Sequence, residues 1–475
     1  MILVIIILIL TVSTLVWLAS EKGLEATLPF FAFMAVLSPL DCSVAIPGLF
    51  DLNTQRLMLI TLIGLYVFSG KQKRDFLPLA STPLKIFILI HVTWILVSTV
   101  NSIEPISSLK MALSIVFEYY ILYYLLVRLI TNMKTIHNIL FGMVLGIMVC
   151  SVFGAFEAYK GWSVLTYFPA RTHLFFGSAI VFNDEARGLR VRSTFPHAIL
   201  YGQALAMAII WAFYLLATAK GLKEKVLLWA GLILMFLNIF KTASRGPWIA
   251  IVASLVLLLF VSERRVRRYI LVVALLSSSV CIIRPGVWDS INGLYFATFD
   301  SNSPTGSSYE YRYALLTVGE QALAKDGLRR LWGYGLGTFY DLHLRGEFLG
   351  NPDHEFLSCD SSWIELMVET GYVGLVSIVL VLGPAAGRAL RDAWILPRPH
   401  KYLSWIFFIT MLSYYYAMMS VAIYAWGQNG YMLWILISLS IVHRHLVQSE
   451  SARVRASEST AGRLKAVEFS DECAI

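Results

Sequence analysis

Apolar residues in this chain fall into long, nearly unbroken runs, without the alternation of a strand or the half-polar stripe of a soluble helix. Such runs cover approximately residues 2–19, 25–40, 57–70, 84–100, 109–130, 138–158, 197–219, 226–241, 247–262, 269–284, 363–386, 402–421 and 430–446. A helix needs roughly 17–25 apolar residues to cross a bilayer, so the pattern predicts about 12–13 transmembrane helices. One long interval, about 284–371, breaks the pattern and holds the densest polar cluster, Asp353, His354, Glu355, Asp360 and Glu365. Within it, Tyr311 to Leu331 has helical apolar spacing at Tyr313, Leu315, Leu316, Ala322 and Leu323, which predicts an amphipathic helix lying on the membrane. The series Gly333-Tyr-Gly-Leu-Gly337 predicts a close turn. Asp360 reads as the N-cap of the next helix, and Gly371 and Gly374 as points of close helix packing.

Composition agrees with an all-α polytopic membrane protein. Of 475 residues, 58% are hydrophobic and 14% charged, against about 25% charged in soluble domains; the mean hydropathy is +0.69. The formal charge of +8 does not argue for nucleic acid, because its cations sit in short clusters between apolar runs. Lys71 to Arg74, Arg128 with Lys134, Lys220 to Lys225, Arg264 to Arg268, Arg388 to Lys401 and His443 to His445 alternate onto one side. By the positive-inside rule that side is the cytoplasm. The loops at 41–56, 101–108, 159–196, 241–246, 285–362 and 424–429 then face outward. The tail after His445, rich in Ser, Glu and Arg, reads as solvated and disordered. The cysteines form no CxxC pair or metal spacing; Cys42 and Cys359 share the outer side, where a disulfide competes with free thiols.

Three outward loops carry unusual charge. The first, 183–197, places Arg187, Arg190 and Arg192 where the positive-inside rule disfavours them, paired either with Asp184 and Glu185 or with an anionic ligand. In the second, Lys241 to Pro247, Gly246-Pro247 starts a helix and sets Arg245 beside its N-terminus. Arginine there opposes the helix dipole unless an anion accompanies it or the side chain reaches lipid headgroups. The third is the long loop, with a flexible tip at 300–308 and Arg312 opening its helix.

Several chemistries are excluded. His354-Glu355 is no HExxH zinc site, since Ser358 stands fifth. The glycine run lacks the strand–helix frame of a dinucleotide site, and there is neither a Walker lysine nor an Asp-x-Asp pair for a sugar-nucleotide metal. Apart from Glu118 and Glu369, few charges lie inside spans, as coupled transporters would require. What remains is a set of outer arginines and carboxylates. Guanidinium groups grip phosphate bidentately and stabilise a departing diphosphate, while Asp360 or His354 accepts the proton of an attacking hydroxyl.

Thr242-Ala-Ser-Arg-Gly246, Arg312, Gly333-x-Gly-x-Gly-Thr-Phe339 and Asp360-Ser-Ser-Trp-Ile-x-x-x-x-Glu369-Thr-Gly371 together resemble the motif series of the O-antigen ligase and O-antigen polymerase superfamily, over about 185–385. The resemblance implies a GT-C-type glycosyltransferase architecture. It implies an undecaprenyl-diphosphate-linked glycan donor, no metal or other cofactor, and work on the periplasmic face of the bacterial inner membrane. Flippase and chain-length regulator proteins would be its partners. It assigns the diphosphate to Arg245 and Arg312, with Arg192 as a third contact, and the catalytic roles to Asp360, His354 and Glu369. Ligases of this family place histidine nine residues before the glutamate aligned with Glu369; this chain has Asp360 there, which favours an exopolysaccharide or O-antigen polymerase over a ligase, with a lipid-linked sugar transporter third. The expected organisation is N-terminal transmembrane helices to 180, a ligase-like core at 181–385 containing loop 285–362, C-terminal helices at 386–446 and a cytoplasmic tail at 447–475.

Overall fold

The computed structural model describes residues 2–46, 51–68, 82–169, 183–184, 188–283, 307–424 and 426–472, with isolated positions between 284 and 306. Lys71 to Arg74, Arg187 and residues 300–306 of the expected 300–308 tip lie outside the described residues, while 307–308 begin a helix. The chain is an all-α polytopic membrane protein, and a helix stands at each predicted span. In order these are α1 (Ile2–Lys22), α2 (Leu28–Leu37), α3 (Thr54–Phe68), α4 (Lys85–Ser98), α5 (Pro105–Leu129), α6 (Met133–Lys160), α7 (Ala198–Thr218), α8 (Leu222–Lys241), α9 (Arg245–Val261) and α10 (Arg264–Ile283). After the polar interval come α13 (Ser362–Ile395), α14 (His400–Ala417) and α15 (Gly427–Glu472). Among the described residues, seven helices are long and apolar enough to cross a membrane: α1, α5, α6, α7, α10, α13 and the first part of α15. Several others are shorter but apolar.

α7 and the apolar part of α15 form the centre of the bundle and are almost wholly buried. That burial is why they are apolar all round. Around them, small residues set the closest approaches. A Cβ on Gly142 of α6 would lie 2.4 Å from the Pro29 carbonyl oxygen of α2, and one on Gly146 2.4 Å from Val36. Glycines four apart thus let the two backbones touch, which is how helices associate where no hydrophobic driving force separates them from lipid. The mid-span charge Glu118 sits in a π-helical turn, Val116–Ile121, within α5. Its carboxylate accepts from Arg56 Nε and Nη2 at 2.9 and 2.7 Å, from Ser114 at 2.6 Å and from Tyr431 at 3.2 Å. A buried carboxylate so fully bonded is a structural tie.

The polar interval folds onto the bundle as a small unit with its own core. Its elements are α11 (Ser307–Ala324), α12 (Gly327–Trp332) and the hairpin β5 (Arg345–Phe348) with β6 (Asn351–Glu355). Two-residue strand pairs β1 (Ser43–Val44) with β2 (Leu52–Asn53), and β3 (Asn183–Asp184) with β4 (Gly188–Leu189), occur earlier. In the hairpin Arg345 faces Glu355 and Gly346 faces His354, with a register shift before Phe348. Leu315, Val318 and Leu323 of α11 pack with Phe339, Phe356, Ile364, Met367 and Val368 in a cluster separate from the main core.

Three expectations need correction, and the open choice at Cys42 and Cys359 is resolved. The predicted amphipathic helix is broken in two, because Asp326 caps α12 by accepting the Leu328 N–H at 3.0 Å. Its apolar residues also divide: Leu315 and Leu323 are buried against α13, whereas Tyr313 stands 67% exposed. Cys42 and Cys359 are free thiols, buried in different clusters, so no disulfide joins them. The tail is helical as far as Glu472, since no proline interrupts it and its alanines, glutamates and arginines favour helix.

Candidate functional site

The loops that the charge pattern assigns to one side of the membrane meet each other. Ile103 N–H bonds the Tyr334 carbonyl, Val191 N–H the Lys241 carbonyl, Ser362 N–H the Met418 carbonyl, and the Gln428 amide the Thr194 carbonyl. They form one end of the bundle, and the candidate residues lie there.

The break in α13 organises half of this end. Gly371 has φ 69° and ψ −178°, a conformation open to glycine, and its Cβ position is 2.2 Å from the Leu331 carbonyl oxygen. A helix broken there leaves the preceding carbonyls without intrahelical partners. The glycine turn supplies them: Tyr334 N–H bonds the Val368 carbonyl at 3.1 Å and Gly335 N–H the Glu369 carbonyl at 2.8 Å. Trp94 Nε1 donates to the Thr370 carbonyl at 2.9 Å. Gly333, φ 71°, must be glycine because a Cβ would sit 2.4 Å from Glu369 backbone. The Glu369 carboxylate accepts the Phe339 N–H at 3.1 Å and is 4% exposed. The Gly-x-Gly-x-Gly segment and the Glu-x-Gly helix are thus two halves of one lock, with Glu369 as its bolt.

The other half gathers charge. Arg312 on α11 reaches across to the segment before α13. Its Nε donates to the Asp360 carbonyl at 3.0 Å, its Nη2 to the Ser420 carbonyl at 3.0 Å, and its Nη1 to the Ser308 carbonyl at 2.9 Å. Nη2 also lies 3.5 Å from Asp360 Oδ2, both side chains remaining partly exposed. Asp360 does not cap α13. Ser361 does so, accepting from Ile364 N–H, while Asp360 Oδ1 accepts from Ser358 Oγ at 3.3 Å.

Ser420 also touches the Ser-Arg-Gly turn, since a Cβ on Gly246 would lie 3.1 Å from Ser420 Oγ. The structure therefore brings Arg312, Asp360 and the turn bearing Arg245 around Ser420, and the charges of both arginines bear on Tyr416. α9 opens without a side-chain cap. Ser244 Oγ is engaged instead, donating to the Thr242 carbonyl at 3.0 Å and accepting from Arg190 Nη2 at 2.9 Å. Arg190 Nε donates to the Thr242 carbonyl at 3.2 Å, so this buried arginine clamps the turn on which Ala243 has φ 46°.

Arg192 is placed differently. It is 1% exposed, donates to the Pro196 carbonyl at 3.3 Å and feels the carboxylates of Glu157 and Asp41. Burial pulls its guanidinium below the ordinary value, and those two carboxylates oppose the shift. Glu157 Oε2 accepts the backbone N–H groups of Arg192 and Ser193 at 3.2 and 2.7 Å, so this stretch forms an internal brace.

His354 sits in an aromatic cluster, its ring 4.9 Å from Phe348, 5.1 Å from Phe356 and 6.2 Å from Tyr311. Tyr311 O–H donates to the Ser358 carbonyl at 2.9 Å, which links that cluster to the Asp360 segment. Tyr340 is a neighbour that sequence reasoning passed over. Burial pushes its phenol up, and the charges of Glu365, Cys359, Glu369 and Asp360 add to the shift. Arg190 was visible only as one of three arginines; nothing local distinguishes a clamp from a ligand contact.

No curated protein matches the chain. Residues 230–379 match the O-antigen ligase family. That stretch contains Arg245, Arg312, the glycine turn, Asp360 and Glu369, while Arg190 and Arg192 precede it. This match supports a place in the O-antigen ligase/polymerase-like superfamily, whose members are glycosyltransferase-like enzymes, for a chain that is a multi-pass membrane protein.

Proposed function

We propose that the protein polymerises undecaprenyl-diphosphate-linked oligosaccharide repeat units on the periplasmic face of the bacterial inner membrane. The observation that carries this reading is the meeting of Arg312, Asp360 and the Arg245 turn at Ser420. Two arginines beside an uncapped helix start suit a diphosphate, whose oxygens accept hydrogen bonds from guanidinium and backbone N–H alike. A partly exposed carboxylate beside them suits proton transfer.

In this mechanism Arg245 and Arg312 hold the donor's diphosphate. The acceptor hydroxyl oxygen forms the new glycosidic bond to the donor's anomeric carbon, and the bond from that carbon to the phosphate oxygen breaks. The electron pair stays on the diphosphate, where the guanidinium groups stabilise it; the hydroxyl proton passes to Asp360. Glu369 acts by fixing the glycine turn, and His354 by supporting the Tyr311 side of the site.

The test is reconstitution of the purified protein in vesicles with lipid-diphosphate oligosaccharide as sole substrate. Products lengthened by whole repeat units are expected. A protein that transfers glycan only when a separate lipid or protein acceptor is added would be a ligase instead.

A further inference from the structure

A hollow lies along α11 on a face that does not include Arg312. It is a groove of about 430 Å³ between α11 and the β5–β6 hairpin, within the range of about 300–1,000 Å³ typical of ligand sites. Its walls are aromatic and neutral-to-acidic. Tyr309 and Tyr313 stand 77% and 67% exposed, Leu349 is 57% exposed, and Phe348 also lines the groove. About one helical turn, roughly 6 Å of rise, separates the two tyrosines, and both line the groove. Between these apolar faces stand Glu310, Gln321, Glu347 and Thr317, which supply hydrogen-bonding groups at the rim.

We propose that this groove binds the sugar residues of the glycan, an assignment that rests on the polymerase reading for its ligand class. A pyranose has an apolar face of C–H groups and an edge of hydroxyls, so it fits aromatic rings flanked by carboxylate and amide groups. The lining has two carboxylates and no cation, so it repels phosphate and leaves the diphosphate to the arginine side. The geometry connects the two sites. Arg312 and Tyr313 are consecutive on α11, and the Phe348 ring touches Tyr311 at 5.4 Å, which in turn bonds the segment before Asp360. Gly346 fixes the hairpin against α11, since a Cβ there would meet Val318 at 2.4 Å. A glycan in the groove would be held by rigid elements about one helix width from the diphosphate grip.

The experiment uses the full chain in detergent. The probe is the repeat-unit oligosaccharide released by mild acid from the host's own lipid-linked pool, with maltohexaose as a mismatched sugar. Hydrogen exchange over 307–324 and 345–355 reads occupancy. Protection by the repeat unit is expected, weakened roughly tenfold in apparent affinity in Tyr309→Ala/Tyr313→Ala and retained in Arg312→Ala. A double variant that melts with wild type excludes misfolding; should it melt early, Tyr313→Phe and Glu347→Gln take its place. No protection by the repeat unit, with lengthening intact in the double variant, overturns the groove and leaves the polymerase standing. Protection without any lengthening in the wild type keeps the groove and removes the polymerase. Protection by glycan-free phosphatidylglycerol vesicles alone makes the tyrosines a membrane contact and overturns the proposal.

Discussion

Arg312 and Asp360 are bound twice, once through the side chains at 3.5 Å and once from Arg312 Nε to the Asp360 backbone carbonyl at 3.0 Å. The second contact matters more for function. It fixes the guanidinium by the main chain, so the Asp360 carboxylate can exchange its ion pair for a proton or a substrate hydroxyl without releasing Arg312. The two residues therefore hold separable roles.

That separation predicts different kinetics for the two variants. Asp360→Asn keeps the shape and the backbone contact but removes the proton acceptor, so turnover falls by about 10²–10⁴ with donor KM little changed. Arg312→Ala removes a donor to the leaving group and loses roughly 10²–10³, in affinity as well as rate. Steady-state assays on vesicles decide it; equal loss in KM for both variants contradicts the division.

Arg190 should act only through the turn it clamps. Removing it takes away two hydrogen bonds and leaves the turn only the bond from Ser244 Oγ to the Thr242 carbonyl, a local cost of about 1–2 kcal/mol. Arg190→Gln is expected to raise donor KM while kcat holds, because Arg245 is misplaced and Asp360 untouched. A variant with wild-type KM would show that the turn keeps its shape unaided.

Gly371 and Gly333 admit no side chain. Gly371→Ala places a Cβ 2.2 Å from the Leu331 carbonyl oxygen at a φ of 69°, and strain of that kind costs about 1–3 kcal/mol before the clash is added. We expect a clear fall in melting temperature in detergent for either Gly371→Ala or Gly333→Ala. Gly286→Ala serves as a control, since nothing lies near its Cβ position. Unchanged melting of Gly371→Ala would mean the lock is loose.

The hairpin should loosen in acid. The His343 hydrogen bond, opposed by desolvation and joined by Arg345, holds the Glu355 carboxyl below its ordinary value of 4.5. A carboxylate with a lowered folded pKa stabilises the fold at and above its unfolded value and ceases to do so as pH falls through the folded one. Exchange at 345–355, corrected for intrinsic rates, should therefore quicken below about pH 4.5 in the wild type. In Glu355→Gln it should already be fast at neutral pH and show no such step.

Cys42 and Cys359 should stay reduced and slow to react. Burial pushes both thiols up, and for Cys359 the carboxylates of Glu365, Glu369 and Asp360 add to the shift. Peptide mapping without reductant should find neither residue in a disulfide, and N-ethylmaleimide should label them only on unfolding. Rapid labelling at neutral pH would contradict the burial.

The sequence by itself determined where helices lie, because spanning the bilayer is a local property of length and hydrophobicity. Short motifs of unusual residues likewise pointed to Arg245, Arg312 and Asp360 before any contact was known. It did not distinguish Arg190 and Arg192 as internal ties, Ser361 as the true cap of α13, or the hairpin that carries His354. Nor did it show that the glycine turn exists to serve carbonyls freed at Gly371. Each of these depends on partners far apart in the chain, as Arg312 and Ser420 are, and only tertiary packing decides which polar groups meet when water is excluded.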